Sequence, residues 1–151
     1  MKVQLLSNGQ IDNVMLQRLT MFKRRFSIEI SLLGFKENND AIVKKEGAYD
    51  RAINAIQYLN NSEINVTVNT VVMKQNYTQL RILMKTLSDI GVEWSHSPLI
   101  FGDSKHFFRL NDAQLCSYYR MFPDETRLMF NLNRINLNDV NFDIGCNAGC
   151  T

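Results

Sequence analysis

The sequence predicts an α/β fold built on a parallel sheet, with about four strand–helix units. Segments in which apolar and polar residues alternate are followed, in turn, by segments in which apolar residues recur at helical spacing. Residues 64–73 are rich in β-branched side chains and become nearly continuously apolar, which suits a parallel strand covered on both faces. The 151-residue chain has the size of one ordinary domain. Consecutive right-handed βαβ units therefore account for residues 1–122.

The first strand is predicted at residues 2–6, where KVQLL alternates ahead of the turn signal SNG. A helix should follow and continue to about residue 23. Its predicted apolar face consists of residues at helical spacing: Ile11, Val14, Met15, Leu19 and Phe22. A period of two predicts the next strand at residues 26–32, before Gly34.

A polar loop over residues 35–47 should lead to a second helix at residues 48–59. The apolar stripe of this helix is Ala52, Ile53, Ile56 and Leu59. After the strand at residues 64–73, Asn76 and Gln79 have the spacing of a capping box, so a third helix should begin there. That helix should end at Gly91.

The segment VEWSHSPLI, residues 92–100, predicts a fourth strand. A second Asn-x-x-Gln pair, Asn111 and Gln114, predicts a helix that runs to about Met121. Beyond Pro123 the chain becomes Asn-rich and loses any clear period, so we predict loop there with at most one short strand.

The charge balance gives no electrostatic reason to expect a nucleic-acid or membrane partner. Lys and Arg (17) nearly equal Asp and Glu (15), which leaves a formal net charge of +2. No apolar run is long enough to cross a bilayer, and no signal-type leader opens the sequence. We expect a cytoplasmic protein in which the cysteines, odd in number, stay reduced.

In a parallel α/β sheet, ligands bind at the carboxyl ends of the strands, and short motifs occur there in this sequence. They are LLSNG at 5–9, EISLLG at 29–34, Asn39-Asp40, Gly47-Ala48-Tyr49 and VVMKQN at 71–76, with CNAGCT closing the chain at 146–151. In this order and spacing they resemble the barrel of radical S-adenosylmethionine (radical SAM) enzymes, in particular those that carry a C-terminal SPASM extension and modify peptides or proteins. The resemblance covers essentially the whole chain.

The resemblance implies a partial TIM-like barrel at residues 1–122, followed at 123–151 by a linker and the beginning of a SPASM-like iron–sulfur region. In such enzymes S-adenosylmethionine lies across the strand ends beside a [4Fe–4S] cluster and initiates hydrogen abstraction from a peptide substrate. The family's CxxxCxxC triad and GGE-type motif do not occur in this sequence. We therefore expect a fragment that binds neither cofactor nor cluster stably by itself and that is inactive alone. A complementary chain would supply the missing half of the barrel.

The same resemblance implies site residues. Ser31, at the end of the second strand, would contact the bound cofactor; without the resemblance it is an ordinary outward-facing polar residue. Asn69 would offer an amide near the adenine or ribose, and His96 would lie where relatives shape the adenine pocket. Where many relatives have Arg or Thr, this chain has Val43, with Lys44 or Lys45 as electrostatic substitutes.

The predicted metal ligands are Cys146 and Cys150, which the resemblance places in an auxiliary [4Fe–4S] site. Cys116 falls in an amphipathic helix and is predicted to be a small core residue. A different class of function stays open, namely a catalytically inactive half-barrel that binds a peptide or a partner chain. A flavodoxin-like nucleotide-binding domain is not favoured, because no glycine-rich phosphate loop follows any predicted strand.

Overall fold

The described part of the chain forms a parallel sheet with helices packed on one of its faces. The computed structural model describes residues 3–22, 25–99 and 107–122. Its strands are β1 Val3–Ser7, β2 Phe26–Ser31, β3 Asn65–Val72 and β4 Glu93–Pro98. They lie in the order β1-β2-β3-β4, and all neighbouring pairs are parallel. The predicted α/β class with a parallel sheet is confirmed.

Four of the helices lie in the connections between the strands, and the fifth follows β4. These are α1 Asn13–Thr20, α2 Glu37–Val43, α3 Ala48–Asn61, α4 Leu80–Ile90 and α5 Asp112–Met121, with a 3₁₀ turn at Tyr77–Gln79 before α4. Asn111 and Gln114 form the predicted capping box of α5, and α4 ends at Gly91 in the left-handed conformation, as predicted.

The hydrophobic core lies between the sheet and α3 and α4. From the strands come Ile28, Ile30, Val66 and Val68, and from the helices Ala52, Ile56, Leu59, Leu83 and Leu87, all buried. The prediction that the third strand is covered on both faces is wrong for the described residues. Along β3, buried residues alternate with partly exposed ones such as Asn69, because helices cover only one face.

The predicted apolar face of α1 is only partly correct. Leu16 is its buried residue, and Ile11 and Leu19 pack against the core, whereas the side chains of Val14 and Phe22 are 59% and 52% exposed. The Asp12 side chain accepts a hydrogen bond from the Met15 backbone and fixes the start of the helix.

Two further predictions fail because tertiary contacts decide the local structure. The predicted polar loop at 35–47 contains α2, which has only seven residues and no side-chain N-cap. The predicted capping box at Asn76 and Gln79 does not form. Both side chains instead bond backbone groups of the loop that follows β2, as described below.

Candidate functional site

A row of polar side chains crosses the open face of the sheet near the carboxyl ends of the strands. Ser31 of β2 is in register with Asn69 of β3, and Asn69 is in register with Ser95 of β4. Neighbouring strands lie about 4.8 Å apart, so the three polar groups form a continuous row. Helices cover the opposite face, and this open face carries the hydrogen-bonding groups.

Ser31 lies where the resemblance requires it, at the end of β2 and exposed on the open face. It lines a cavity of about 180 Å³ together with Asn8, Gln10, Asn39 and Lys45. Its hydroxyl makes no hydrogen bond to any residue within the described ranges. The side chains of Ser31 and Lys45 therefore line one small cavity at the strand ends.

Asn69 belongs to a chain of side-chain hydrogen bonds across the open face. Its amide Nδ2 donates to Glu29 Oε1 at 3.2 Å, and Gln4 Nε2 donates to Glu29 Oε2 at 3.4 Å. These bonds orient the Asn69 amide so that its oxygen is directed away from Glu29. That oxygen has no partner among the residues of the described part of the chain, so it is available to accept a hydrogen bond from a ligand.

The structure places His96 on the other face of the sheet, away from Ser31 and Asn69. The imidazole is 7% exposed, its Nδ1 lies 2.8 Å from the Tyr118 hydroxyl of α5, and it packs against Trp94 and Phe122. Its position between β4 and α5 is that of a packing residue. We do not include His96 in the candidate site.

Ser95 occupies the position on β4 that sequence reasoning did not identify. It is exposed on the open face, and its hydroxyl donates to the Val68 carbonyl at 3.4 Å. Strict alternation in EWSHSP puts Ser95 and His96 on opposite faces of the sheet. Trp94 indicates which face is covered, because a large aromatic residue favours the covered face and Trp94 shares its face with His96.

Side chains bond four backbone groups of the loop that follows β2. Asn39 Oδ1 accepts from Leu33 N at 2.9 Å, and Asn76 Nδ2 donates to the Leu33 carbonyl at 2.7 Å. Thr70 Oγ1 donates to the Leu32 carbonyl at 2.7 Å, and Gln79 Oε1 accepts from Phe35 N at 3.2 Å. Because these partners come from β3, α2 and the turn before α4, the loop at the site is rigidly positioned.

The candidate electrostatic substitutes, Lys44 and Lys45, face different cavities. Lys45 lines the cavity of about 180 Å³ with Ser31, whereas Lys44 lines a second cavity of about 360 Å³. Leu33 lines both cavities and so forms the wall between them. Within the described ranges, neither lysine forms an ion pair. Of the two lysines, only Lys45 therefore shares a cavity with Ser31.

Asp40 of α2 supports one side of the site. Its carboxylate accepts hydrogen bonds from the backbone N–H groups of Gly47 and, at 2.8 Å, of Tyr49, at the start of α3. The bond from the Tyr49 backbone, ahead of those from Gly47, Asn39 and Ala48, lowers the pKa of Asp40 below its usual value. The carboxylate thus links α2 to α3 and fixes the side of the cavity that Asn39 lines.

Neither Cys146 nor Cys150 lies within the described residues, so their prediction as cluster ligands is untested. Cys116 is half-buried in α5 rather than fully buried. The described ranges contain no group of three or more His, Cys, Asp or Glu side chains that could hold a metal ion. The residues described thus do not fit an iron–sulfur cluster. Among them there is also no helix that is both long enough and apolar enough to cross a membrane.

Solved structures of radical SAM/SPASM-type enzymes share this fold. The structure of anSMEcpe with bound AdoMet and Kp18Cys peptide matches with a TM-score of 0.66 and 13% identity, over 86% of this chain and 38% of that chain. The structure of Streptococcus suis SuiB bound to S-adenosylmethionine matches with a TM-score of 0.63 and 18% identity, over 96% of this chain and 36% of that chain. The structure of native anSMEcpe with bound AdoMet and Cp18Cys peptide matches with a TM-score of 0.64 and 14% identity, over 86% of this chain and 38% of that chain.

No protein-family model matches the sequence, and no curated protein matches it. At 13–18% identity, the structural likeness establishes a shared fold, and it confirms the predicted partial radical SAM barrel at that level. The chain spans 36–38% of the length of the chains that it matches.

Proposed function

We propose that this chain is the later part of an S-adenosylmethionine-binding barrel in a radical SAM/SPASM enzyme that modifies a peptide or protein. The observation that carries the proposal is the polar row Ser31–Asn69–Ser95 on the open face of a parallel sheet, next to the cavity that Ser31 and Lys45 line. Ligands bind at this end of parallel sheets. Three neighbours of the same fold were solved with AdoMet or S-adenosylmethionine bound, which supports the choice of ligand.

The donors and acceptors of the cavity suit the polar parts of this cofactor. The Lys45 ammonium group would attract the carboxylate of its methionine portion, and Ser31 would bond the same group or a ribose hydroxyl. The free amide oxygen of Asn69 would accept from a ribose hydroxyl. Because about 180 Å³ is less than the 300 Å³ or so of a complete small-molecule pocket, the cavity would hold only one end of the cofactor.

The role of the chain in the reaction would be to bind and orient. The cofactor, when bound beside an iron–sulfur cluster, supplies the radical chemistry. The braced loop after β2 would keep the cofactor end in one orientation, and Leu33 would exclude water on its side of the cavity. The chain contains no CxxxCxxC triad, so the cluster ligands would come from another segment or chain.

The binding test is an amide chemical-shift titration of the purified chain with S-adenosylhomocysteine, a stable analogue of the cofactor. We expect a dissociation constant of about 1 mM, because a binding free energy of about −4 kcal/mol is reasonable for one end of the ligand. The shifts should be confined to Asn8, Gln10, the residues around Ser31, and Lys45. Ser31→Ala should weaken binding, while Ser88→Ala, on the exposed surface of α4, should not. Absence of shifts at these positions would overturn the proposal.

The activity test is anaerobic reconstitution of the chain with iron and sulfide, followed by an assay for 5′-deoxyadenosine. We expect no product from the chain alone. We expect product only when a partner that carries a CxxxCxxC triad is added. Turnover by the 151-residue chain without such a partner would show that the assignment of cluster ligands to another segment is wrong.

A second candidate, an inactive module that binds a partner chain, is favoured by the exposed apolar groups beside β1. Leu6, on the open face of this edge strand, is 76% exposed, and Val14 and Phe22 of the neighbouring α1 segment are more than half exposed. Edge strands with exposed apolar neighbours favour association. Sedimentation separates the two cases: a stable complex with a protein that adds no deoxyadenosine activity would favour the binding module.

A further inference from the structure

The second cavity at the strand ends has the character of a side-chain subsite. Its volume of about 360 Å³ lies within the range of ligand pockets, and its walls are mostly apolar: Leu33, Ala41, Ile42, Met73 and Phe108. Among the described residues that line it, Lys44 is the charged one and none carries a carboxylate. An apolar cavity with one ammonium group at its wall is complementary to a bulky apolar group next to a negative charge.

The walls of this cavity are preorganised. Asn38 Nδ2 donates to the Gln75 carbonyl at 2.6 Å and to Gln79 Oε1 at 2.9 Å, which ties α2 to the segment after β3. Asn76 Oδ1 accepts from Met73 N at 2.8 Å, and Lys74 N donates to the Phe108 carbonyl at 2.9 Å. The two sides of the cavity are therefore fixed relative to each other, and a ligand would not need to order them.

The cavity adjoins the candidate cofactor site, since Leu33 lines both. We infer that this apolar cavity binds a peptide substrate through a bulky apolar side chain, with an adjacent acidic residue of the peptide facing Lys44. The inference rests on the proposed function, because hydrogen abstraction requires the substrate to lie next to the cofactor. It adds to that function a sequence preference, which is an acidic residue beside a large apolar one.

The test uses three blocked tetrapeptides in amide shift titrations of the full 151-residue chain. They are acetyl-Gly-Glu-Phe-Gly-amide, the same peptide with Lys in place of Glu, and the same peptide with Gly in place of Phe. We expect the Glu-Phe peptide to shift the amides of Ile42, Lys44 and Met73 and to bind about two- to fivefold more tightly than the Lys-Phe peptide, as for a partly exposed charge pair. The Glu-Gly peptide should bind at least about tenfold more weakly, because it fills none of the apolar cavity.

Two variants with a matched control sharpen the test. Lys44→Glu should reverse the preference, so that the Lys-Phe peptide binds more tightly. Lys45→Glu, which alters the other cavity, should leave the Glu-Phe preference intact and weaken S-adenosylhomocysteine binding instead. Ala41→Trp places a large side chain at an exposed helix position that lines the cavity, so it should fill the cavity and weaken binding of the Glu-Phe peptide about tenfold. Unchanged amide shifts of β3 and α4 would show that each variant is folded.

The possible results separate this inference from the proposed function. If S-adenosylhomocysteine binds as predicted but the three peptides bind equally, or shift amides elsewhere, the subsite is wrong and the cofactor site stands. If the Glu-Phe preference and its reversal are observed without any shift from S-adenosylhomocysteine, the peptide subsite is supported and the proposed cofactor role fails. A Glu-Phe preference that persists in Lys44→Glu would also overturn the subsite.

Discussion

The two faces of the sheet differ although they are built from alternate residues of the same strands. On the covered face, Ile28 and Ile30 of β2 and Val66 and Val68 of β3 are buried against helices. On the open face, the next residue along each strand is polar: Ser31 of β2 is exposed, and Asn69 of β3, which is in register with it, is partly exposed. One face thus supplies the stability, and the other is available for binding.

The largest effect that tests this comparison is expected from neighbouring residues of β2. Ile30→Ala should lower the free energy of unfolding by about 4 kcal/mol, because Ile30 is fully buried and a cavity would remain. Ser31→Ala, one residue further and on the opposite face, should change it by less than about 0.5 kcal/mol. Urea denaturation of both variants measures the difference. Similar losses for the two would show that the open face is also packed in solution.

Next in size is the effect of removing the amide that connects β3 to the loop after β2. Asn76 is fully buried and bonds Met73 N, the Leu33 carbonyl and the Val71 carbonyl. Asn76→Ala would leave these groups without that partner, so we expect the free energy of unfolding, measured by urea denaturation, to fall by about 3 kcal/mol. Asn54→Ala, on the exposed side of α3, is the control and should be nearly neutral. A loss below about 1 kcal/mol would mean that water replaces the amide.

A smaller effect is expected at the turn that follows β1. Gly9 has φ +74, and an added Cβ would lie 2.7 Å from the Cβ of Ala52. Gly9→Ala should therefore cost about 2 kcal/mol, from backbone strain and from overpacking against α3. Gly91 also has a positive φ, but nothing lies within 4 Å of its added Cβ, so Gly91→Ala should cost only about 1 kcal/mol. If Gly9→Ala and Gly91→Ala lower the thermal stability equally, overpacking does not contribute to the cost at Gly9.

The sequence was sufficient for the order of the elements and for the buried residues of β2 and α3, because burial on one side imposes a period on a strand or helix. It was insufficient where long-range bonds determine structure. The helix α2 depends on contacts of Asn39 and Asp40, and Asn76 forms a tertiary connection although its spacing is that of a cap. His96 shows the same limit, since alternation alone does not say which face of a largely polar strand the helices cover.

The smallest expected effect is the pH dependence that Asp40 contributes where α2 meets α3. Its pKa is lowered in the folded protein by the N–H groups of Tyr49 and Gly47, so folding favours the carboxylate. The resulting stability is present above the ordinary aspartate pKa and is lost as the pH falls through the lower, folded-state pKa. Asp40→Asn should therefore flatten the dependence of thermal stability on pH below the ordinary aspartate pKa. If the variant keeps the wild-type profile, Asp40 does not link the two helices in solution.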